Sequence, residues 1–343
     1  MSAVAQAPVL GGGIAWRQEL APFAKPHVAR SLVDLGSSVL PYAVLSVAMY
    51  MLLDVSYALV LLVAIPTGGF LLRTYIMFHD CAHGSFLPTK RANRWVGRVL
   101  ALIVVTPFSA WRHAHAVHHA TAGDLERRGV GDVPTWTVAE YNDARRPRRI
   151  GYWLFRHPAV MFGLGPIWAM MVGPRLISRS QRPRVRRSVL WTNLGLLLGV
   201  GAFCALIGWR DYLLVWAPPA FIAGAAGVFL FYVQHQFEDA YWENSDAWSY
   251  EDAALRGSSY LKLSPVLQFF TGNIGLHHVH HLNARIPNYR LARAHAENPI
   301  FHGVPVLTLW DGVKTVRLKL WDEDSGRLVT FKQARARRAD SGL

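Results

Sequence analysis

The sequence has 343 residues, of which 52% are hydrophobic and only 17% are charged, and its formal net charge is +14. That length suits one large domain or two small ones, and the apolar composition excludes an ordinary soluble domain. The positive charge leaves two explanations, nucleic-acid binding or the basic loops of a membrane protein. Cys81 and Cys204 are too few for a disulfide framework, which is typical of a reducing compartment.

Four apolar stretches approach the length of about 20 residues that a helix needs to cross a bilayer. They cover residues 37–53, 56–78, 190–209 and 212–234. Asp54 separates the first two stretches, and Arg210 with Asp211 separates the last two, so each pair predicts a tight hairpin. Most basic residues lie outside these turns, and the positive-inside rule therefore places both termini and the middle loop in the cytoplasm. The charge thus follows membrane sidedness and gives little support to nucleic-acid binding. Arg73, near the end of the second stretch, is expected to extend to the membrane surface.

The predicted fold is all-α and integral to the membrane, with four transmembrane helices in two hairpins and a cytosolic helical cap. We expect a cytoplasmic tail at residues 1–36, a membrane domain at 37–334 and a disordered basic tail at 335–343. The cap comprises residues 79–189 and 235–334. Apolar runs at 99–105 and 159–172 are too short to span and predict interfacial or buried helices. Neither a GxGxxG fingerprint nor a phosphate loop occurs, so electrons should come from a separate protein.

Histidines are concentrated in three short clusters next to the predicted spans. The members that share spacings of three or four residues are His79 and His83, then His115, His118 and His119, and finally His277, His280 and His281. Positions i, i+3 and i+4 share one face of a helix, so each cluster can present its imidazoles to a common centre. Eight imidazoles exceed the four ligands of one zinc site, and two metal ions are the simpler account. Ligand type alone leaves the metal open, although imidazole suits iron among others.

Further histidines lie beside these clusters. His235 follows the fourth span as His79 follows the second, and it is predicted to be an additional ligand. His113 and His278 lie off the shared helix faces and are predicted to pack beside the metal site. A register in which His278 replaces His277 stays open. The isolated histidines are predicted to be ordinary surface or core residues: His27, His157, His295 and His302.

Two polar residues other than histidine are candidates for contacts with the ligand histidines or for a water-mediated contact with the metal. Asp80 either orients a ligand histidine through its second ring nitrogen or is a solvated helix residue. Asn273, four residues before His277, is placed to reach a metal through water. A ferritin-like di-iron site would instead show Glu and Glu-x-x-His pairs, and the sequence has no such pattern.

The segments around the histidines resemble those of the membrane fatty acid desaturases, specifically the bacterial acyl-lipid Δ12 (omega-6) branch. The resemblance covers most of the chain from about residue 40 to 300. It includes HDCAHGSF at 79–86, HHATAGDL at 118–125, QHQFED at 234–239, GSSY at 257–260, TGNIGL at 271–276 and IPNY at 286–289.

This resemblance implies a helical membrane domain whose cytosolic cap holds two irons, and it implies a bacterial inner membrane as the location. It implies that O2 is reduced with electrons from an external ferredoxin- or cytochrome-type donor, and that an acyl chain bound in a narrow tunnel is desaturated. By motif, the implied iron ligands are His79, His83, His115, His118, His119, His277, His280 and His281. His235 corresponds to the extra histidine after the last membrane helix. One departure is Phe231, where animal acyl-CoA desaturases have Asn, so a water-bridged amide must come from elsewhere, such as Asn273.

Two other functions compete with desaturation. A carotenoid ketolase or an alkyl-chain hydroxylase of the same superfamily would use the same metal chemistry but leave oxygen in the product. A divalent-metal transporter would place polar ligands near the bilayer midplane, yet the first, third and fourth spans contain no charged residue or histidine. The sequence leaves open the chain length, the double-bond position, the lipid carrier, the electron donor and the oligomeric state.

Overall fold

A computed structural model of the chain describes residues 15–178 and 181–340, with side chains described up to residue 336. The chain is mostly helical, as predicted. The helices in chain order are α1 (Ala15–Leu20), α2 (Val28–Met51), α3 (Tyr57–His83), α4 (Lys90–Ile103), α5 (Phe108–Thr121), α6 (Val138–Asp143), α7 (Arg146–Phe155), α8 (Pro183–Ile207), α9 (Trp209–His235), α10 (Tyr250–Leu255), α11 (Pro265–Phe270), α12 (His277–Leu282), α13 (Asn288–Glu297), α14 (Leu309–Thr315) and α15 (Phe331–Asp340).

Short strands connect parts of the cap. Within the described ranges they are β1 (Trp136–Thr137), β2 (Tyr260–Lys262), β3 (Val306–Thr308), β4 (Leu320–Asp322) and β5 (Arg327–Val329). β4 pairs in parallel with β1 and antiparallel with β5, and β2 pairs in parallel with β3. The β1–β4 and β2–β3 ladders join segments that are far apart in sequence, so they connect distant parts of the cap.

Four helices, α2, α3, α8 and α9, are long and apolar enough to cross a membrane. They form the two predicted hairpins, because residues 52–56 join α2 to α3 and Gly208 alone joins α8 to α9. Gly208 has φ of +82°, a conformation that glycine adopts without steric cost. α3 packs against both α2 and α9, and α8 packs against α9. α3 and α9 are therefore the inner pair, and α2 and α8 keep most of their apolar surface exposed, as lipid-facing helices do.

The outer helices begin earlier than the apolar runs alone indicate. α2 starts at Val28 rather than at residue 37, and α8 starts at Pro183 rather than at residue 190. The added first turns of α2 are polar but bury Ser31 and Asp34 against the protein. A hydropathy pattern does not reveal such turns, because contacts inside the protein stabilise them rather than the lipid.

Arg73 of α3 forms a buried ion pair with Asp34 of α2. Its Nη2 lies 3.1 Å from Asp34 Oδ1, and its Nη1 donates to the carbonyl oxygen of Phe269. Both charged side chains are almost fully buried. The prediction that Arg73 extends to the membrane surface is therefore wrong, because Asp34 supplies a counter-charge inside the protein.

The shorter apolar runs and the C-terminal segment lie in the cap. Residues 99–103 form the end of amphipathic α4, and residues 104–105 follow it. The run at 159–172 contains two π-helical segments, Val160–Leu164 and Ile167–Val172. The tail predicted to be disordered is helical as far as Asp340, and residues 341–343 lie outside the described residues. Phe331 and Ala334 explain the difference, because they pack with Tyr152, Leu320 and Val329 and so attach the helix to the cap.

Candidate metal centre

Nine histidines converge at the C-terminal ends of α3 and α9, the inner pair of long helices. They form two groups, and within each group one ring nitrogen from every member lies within 4.8 Å of the others. The first group contains His79, His83, His115, His119 and His280. The second group contains His118, His235, His277 and His281. All eight histidines of the three clusters are thus brought together, and His235 joins them.

α3 and α9 contribute histidines to the site from their C-terminal ends. α3 ends with His83, and Gly84 follows in the left-handed conformation, with φ of +73°. α9 ends with His235, and the backbone of the next residue, Gln236, is no longer helical. Since both helices end on the same side of the bundle, each delivers histidines to the centre from the membrane domain.

Helical spacing divides each cap cluster between the two groups. On α5, His115 and His119 are four residues apart and join the first group, whereas His118 joins the second. On α12, His277 and His281 join the second group and His280 joins the first. Each short helix therefore lies between two centres and contributes to both.

The separations between ring nitrogens fit metal coordination. Pairs of Nε2 atoms lie 3.1 Å apart for His115 and His119, and 3.0 Å apart for His119 and His280. In the second group, His235 Nε2 lies 3.2 Å from His118 Nε2 and 2.9 Å from His277 Nε2. Two imidazole nitrogens bound at about 2.1 Å and at right angles to each other would be about 3.0 Å apart. The observed separations match that spacing.

Four buried ring nitrogens in these groups have no hydrogen-bond partner within the described part of the chain: His83 Nε2, His281 Nε2, His119 Nδ1 and His277 Nδ1. A buried nitrogen without a hydrogen bond is costly, and native structures rarely leave one unsatisfied. A metal ion in each group would satisfy His83 Nε2 and His281 Nε2, whereas His119 and His277 turn Nε2 rather than Nδ1 toward their groups. The residues present therefore fit a pair of histidine-bound metal ions. Every donor in the two groups is a histidine ring nitrogen.

Burial sets the charge of the cap histidines. Loss of solvent lowers the pKa of each of these imidazoles well below its ordinary value, and the neighbouring histidines lower it further. The affected residues are His115, His119, His277, His280 and His281. They are consequently neutral at physiological pH, which is the form that binds a metal ion.

Asp80 lies inside the protein rather than in solvent. Its Oδ1 is 3.3 Å from His79 Nδ1. Its Oδ2 accepts hydrogen bonds of 2.8 Å from the Asn288 backbone amide and 3.0 Å from the Asn288 side-chain amide. Of the two possibilities that the sequence left open, the structure favours the one in which Asp80 orients a histidine, as carboxylates commonly do beside metal sites.

Asp132 was not singled out from the sequence, although it contacts the second group directly. Its Oδ1 is hydrogen-bonded to His118 Nδ1, and both side chains are buried. His235 Nδ1 has an equivalent contact, 3.2 Å from the carbonyl oxygen of Gly257. Asp132 lies in a loop, so no helical spacing relates it to His118. The sequence feature that could have indicated Asp132 is its position in the glycine-containing segment that follows the second histidine cluster.

The remaining candidates lie outside these contacts. His113 is exposed on α5 and belongs to neither group. His278 Nε2 is 2.9 Å from His295 Nδ1, so the structure places His277 in the second group and turns His278 away. Burial lowers the pKa of His278 to about 3. The side-chain amide of Asn273 donates to the Asn288 carbonyl oxygen at 3.4 Å.

A small cavity of about 20 Å³ adjoins the second group. Its lining includes His118, Asp132, Phe231, His235 and Gln236. The ring centroid of Phe231 is 5.1 Å from that of His118 and 5.3 Å from that of His235. Phe231, which stands where the animal acyl-CoA desaturases have Asn, therefore presents an apolar ring to the metal centre.

A helical bundle that carries two histidine groups at one end defines a class of membrane enzyme. Comparison with known proteins identifies the family: the fatty acid desaturase model matches residues 55–309. This chain belongs to the fatty acid desaturase family, and it is an enzyme of that class. The predicted resemblance is confirmed.

Individual relatives agree with this assignment. The chain is 42% identical over 315 residues to a fatty acid desaturase of Bacillus subtilis (strain 168), covering 92% of this chain and 90% of that protein. It is 26% identical over 226 residues to an sn-1 oleoyl-lipid 12-desaturase of Arthrospira platensis, covering 66% and 64%. It is 27% identical over 233 residues to an sn-1 acyl-lipid omega-3 desaturase (ferredoxin) of Synechocystis, covering 64% and 62%.

Proposed function

We propose that this enzyme introduces a double bond into an acyl chain of a membrane lipid, at the Δ12 (omega-6) position. The observation that carries the proposal is the convergence of nine histidines in two groups at one end of the helical bundle. The acyl-lipid carrier is supported by relatives whose names specify acyl-lipid or oleoyl-lipid substrates. The Δ12 position is supported by the sequence motifs and by the 12-desaturases among the relatives.

The cofactors follow from the same site. We propose that the first and second groups each hold one iron ion, with His79, His83, His115, His119 and His280 around one and His118, His235, His277 and His281 around the other. When bound, the two irons supply the capacity to reduce O2 and to remove hydrogen from an unactivated carbon. Electrons come from a separate protein of the ferredoxin or cytochrome type, and three relatives have ferredoxin in their names.

The side chains around the metal centre position the acyl chain and do not act on it as acids or bases. Two adjacent methylene groups offer no acidic proton and no handle for acid–base chemistry, so the protein selects the carbons by holding the chain in one place. Overall, the acyl chain loses two hydrogens, and O2 with two electrons and two protons becomes two waters. Asp80 and Asp132 hold His79 and His118 in orientation. Phe231 lines the adjoining cavity with an apolar ring.

The decisive experiment identifies the product in a bacterium that makes no polyunsaturated lipids and is supplied with oleate. Gas chromatography with mass spectrometry of the total fatty acids should reveal a new diene, and its fragmentation should place the second double bond at carbon 12. The matched control is His280→Ala, which should yield no diene. A product desaturated elsewhere would overturn the Δ12 position, whereas hydroxy or keto products would overturn desaturation in favour of a hydroxylase or ketolase.

We also propose that the histidine side of the bundle faces the cytoplasm of a bacterial inner membrane. The distribution of basic residues around the two hairpins supports this orientation. A C-terminal green fluorescent protein fusion should fluoresce, and a C-terminal alkaline phosphatase fusion should stay inactive. The reverse pair of results would place the cap on the outside.

A further inference from the structure

A cleft of about 240 Å³ lies in the cap between α6, α7 and α15. Its lining contains none of the histidines of the two groups. The lining residues are Tyr141, Arg146, Arg149, Ile150, Trp153 and Arg335. The cleft thus combines three guanidinium groups with aromatic and aliphatic side chains.

The three arginines form a concentrated positive charge. Neither an ion pair nor a side-chain hydrogen bond joins the guanidinium of Arg146, Arg149 or Arg335 to any residue within 15–178 or 181–336. Of the acidic residues on nearby α6, Glu140 already pairs with Arg128, and Asp143 is exposed and does not line the cleft. Unpaired guanidiniums around one concave surface favour an anion, because each offers several donors in a planar fork that suits phosphate.

The surface beside the cleft is apolar. α7 leaves Ile150, Trp153, Leu154 and Phe155 between 41% and 50% exposed. The π-helical segment that follows adds exposed Trp168, at 59%. A helix with basic residues in one part and Trp, Phe and Leu exposed in another is typical of the membrane interface. An acidic protein partner would match the arginines but not this neighbouring apolar surface.

We propose that this cleft binds the headgroup phosphate of an anionic membrane phospholipid, with the exposed apolar residues of α7 lying against its acyl chains. The arginines contact the phosphate, and Tyr141 and Trp153 line the walls around the headgroup. This lipid site is separate from the metal centre and does not depend on the proposed desaturation.

Binding of short-chain lipids to the purified full-length protein in detergent tests the proposal. Dioctanoyl phosphatidylglycerol, dioctanoyl phosphatidylcholine and inorganic phosphate are titrated separately, and binding is followed by microscale thermophoresis. The Kd for phosphatidylglycerol should be at least about tenfold lower than that for phosphatidylcholine, since the net anionic headgroup makes the charge-assisted contacts. The triple variant Arg146→Gln, Arg149→Gln and Arg335→Gln should raise the Kd for phosphatidylglycerol by about tenfold or more.

A charge-matched control separates the cleft from general attraction between cations and anions. The variant Arg91→Gln, Arg94→Gln and Arg98→Gln removes the same charge from α4, which also exposes a tryptophan, Trp95. Its affinity for phosphatidylglycerol should stay within about twofold of the unaltered protein. Equal losses in both triple variants would overturn a specific site. Should the first triple variant fail to elute as a folded monodisperse species, Arg149→Gln alone should still weaken binding several-fold, and unchanged affinity there would overturn the proposal.

Two further results would assign the cleft to another ligand. Inorganic phosphate that binds as tightly as phosphatidylglycerol would indicate a free-phosphate site and overturn the lipid proposal. The second result uses an acidic ferredoxin-type protein as the titrant. If the cleft variant lost affinity for that protein while it kept its affinity for phosphatidylglycerol, the cleft would be a protein-docking surface.

Discussion

The Nε2 atoms of His235 and His277 lie 2.9 Å apart, although one residue ends a membrane helix and the other begins a short helix of the cap. His235 Nε2 also lies 3.2 Å from His118 Nε2. This single histidine, which belongs to no repeated motif, therefore occupies the middle of the second group. In its geometry it is equivalent to the clustered histidines.

Removal of His235 should weaken the second metal position. We expect His235→Ala to lower the iron content of purified protein below that of the unaltered chain, because the second group loses one of its four imidazoles, and to abolish diene formation. Elemental analysis by mass spectrometry gives the metal content. His113→Ala is the matched control, since His113 is exposed and outside both groups. Full metal content in the His235 variant would exclude it as a ligand.

Asp132 should strengthen metal binding without touching the metal. Because its carboxylate holds His118 in orientation, Asp132→Asn should lower the affinity of the second position by about 10–100-fold. Release of iron to a chelator, followed by absorbance, measures this loss. Asp143→Asn changes the charge equally at an exposed site and should have no effect. Identical release rates for both variants would mean that Asp132 has no orienting role.

The buried pair of Asp34 and Arg73 should dominate the contact between α2 and α3. Asp34→Asn leaves a buried guanidinium without its counter-charge and should lower the free energy of unfolding by about 3–5 kcal/mol. The double variant Asp34→Leu with Arg73→Met should recover most of that loss, because neither charge remains. Denaturation in mixed micelles measures both. Arg30→Gln is the control, as Arg30 lies 3.8 Å from Asp34 but is largely exposed. A change below about 0.5 kcal/mol in Asp34→Asn would contradict this account.

Lys319 should make the stability of the cap depend on pH. Burial, together with the nearby charge of Arg156, lowers the pKa of Lys319 from 10.5 to about 7, and its Nζ has no hydrogen-bond partner within the described residues. Between about pH 7 and pH 10.5 the unfolded chain binds more protons at this site than the folded chain does, so stability rises with pH over that window.

Substitution of Lys319 should remove this rise. Lys319→Met should also stabilise the protein at pH 7 by about 1–3 kcal/mol, the desolvation cost of an unpaired buried donor. Thermal midpoints across the pH range provide the measurement. The exposed Lys314→Met variant should retain the pH dependence of the unaltered protein. The explanation fails if Lys319→Met shows the same slope as the unaltered protein.

Features with a short sequence period could be predicted without coordinates. The four spans depend on length and hydropathy, and the histidine clusters depend on the spacing of a single helix turn. Both are local properties, so the two hairpins and the convergence of the eight clustered histidines were correctly anticipated. The division of the second and third clusters between two groups was not anticipated. The start of α2 at Val28 was missed because its polar first turns depend on contacts with other parts of the chain.

By itself, the sequence determined the class of protein: apolar runs long enough to span a bilayer and imidazoles repeated at helical intervals depend only on neighbouring residues. The tertiary structure alone decided which histidines share a centre, that His277 rather than His278 faces it, and that Asp132 and Asp34 provide partners for His118 and Arg73. Each of these outcomes joins residues from separate elements. Their approach depends on how whole helices pack, and no local pattern encodes that packing.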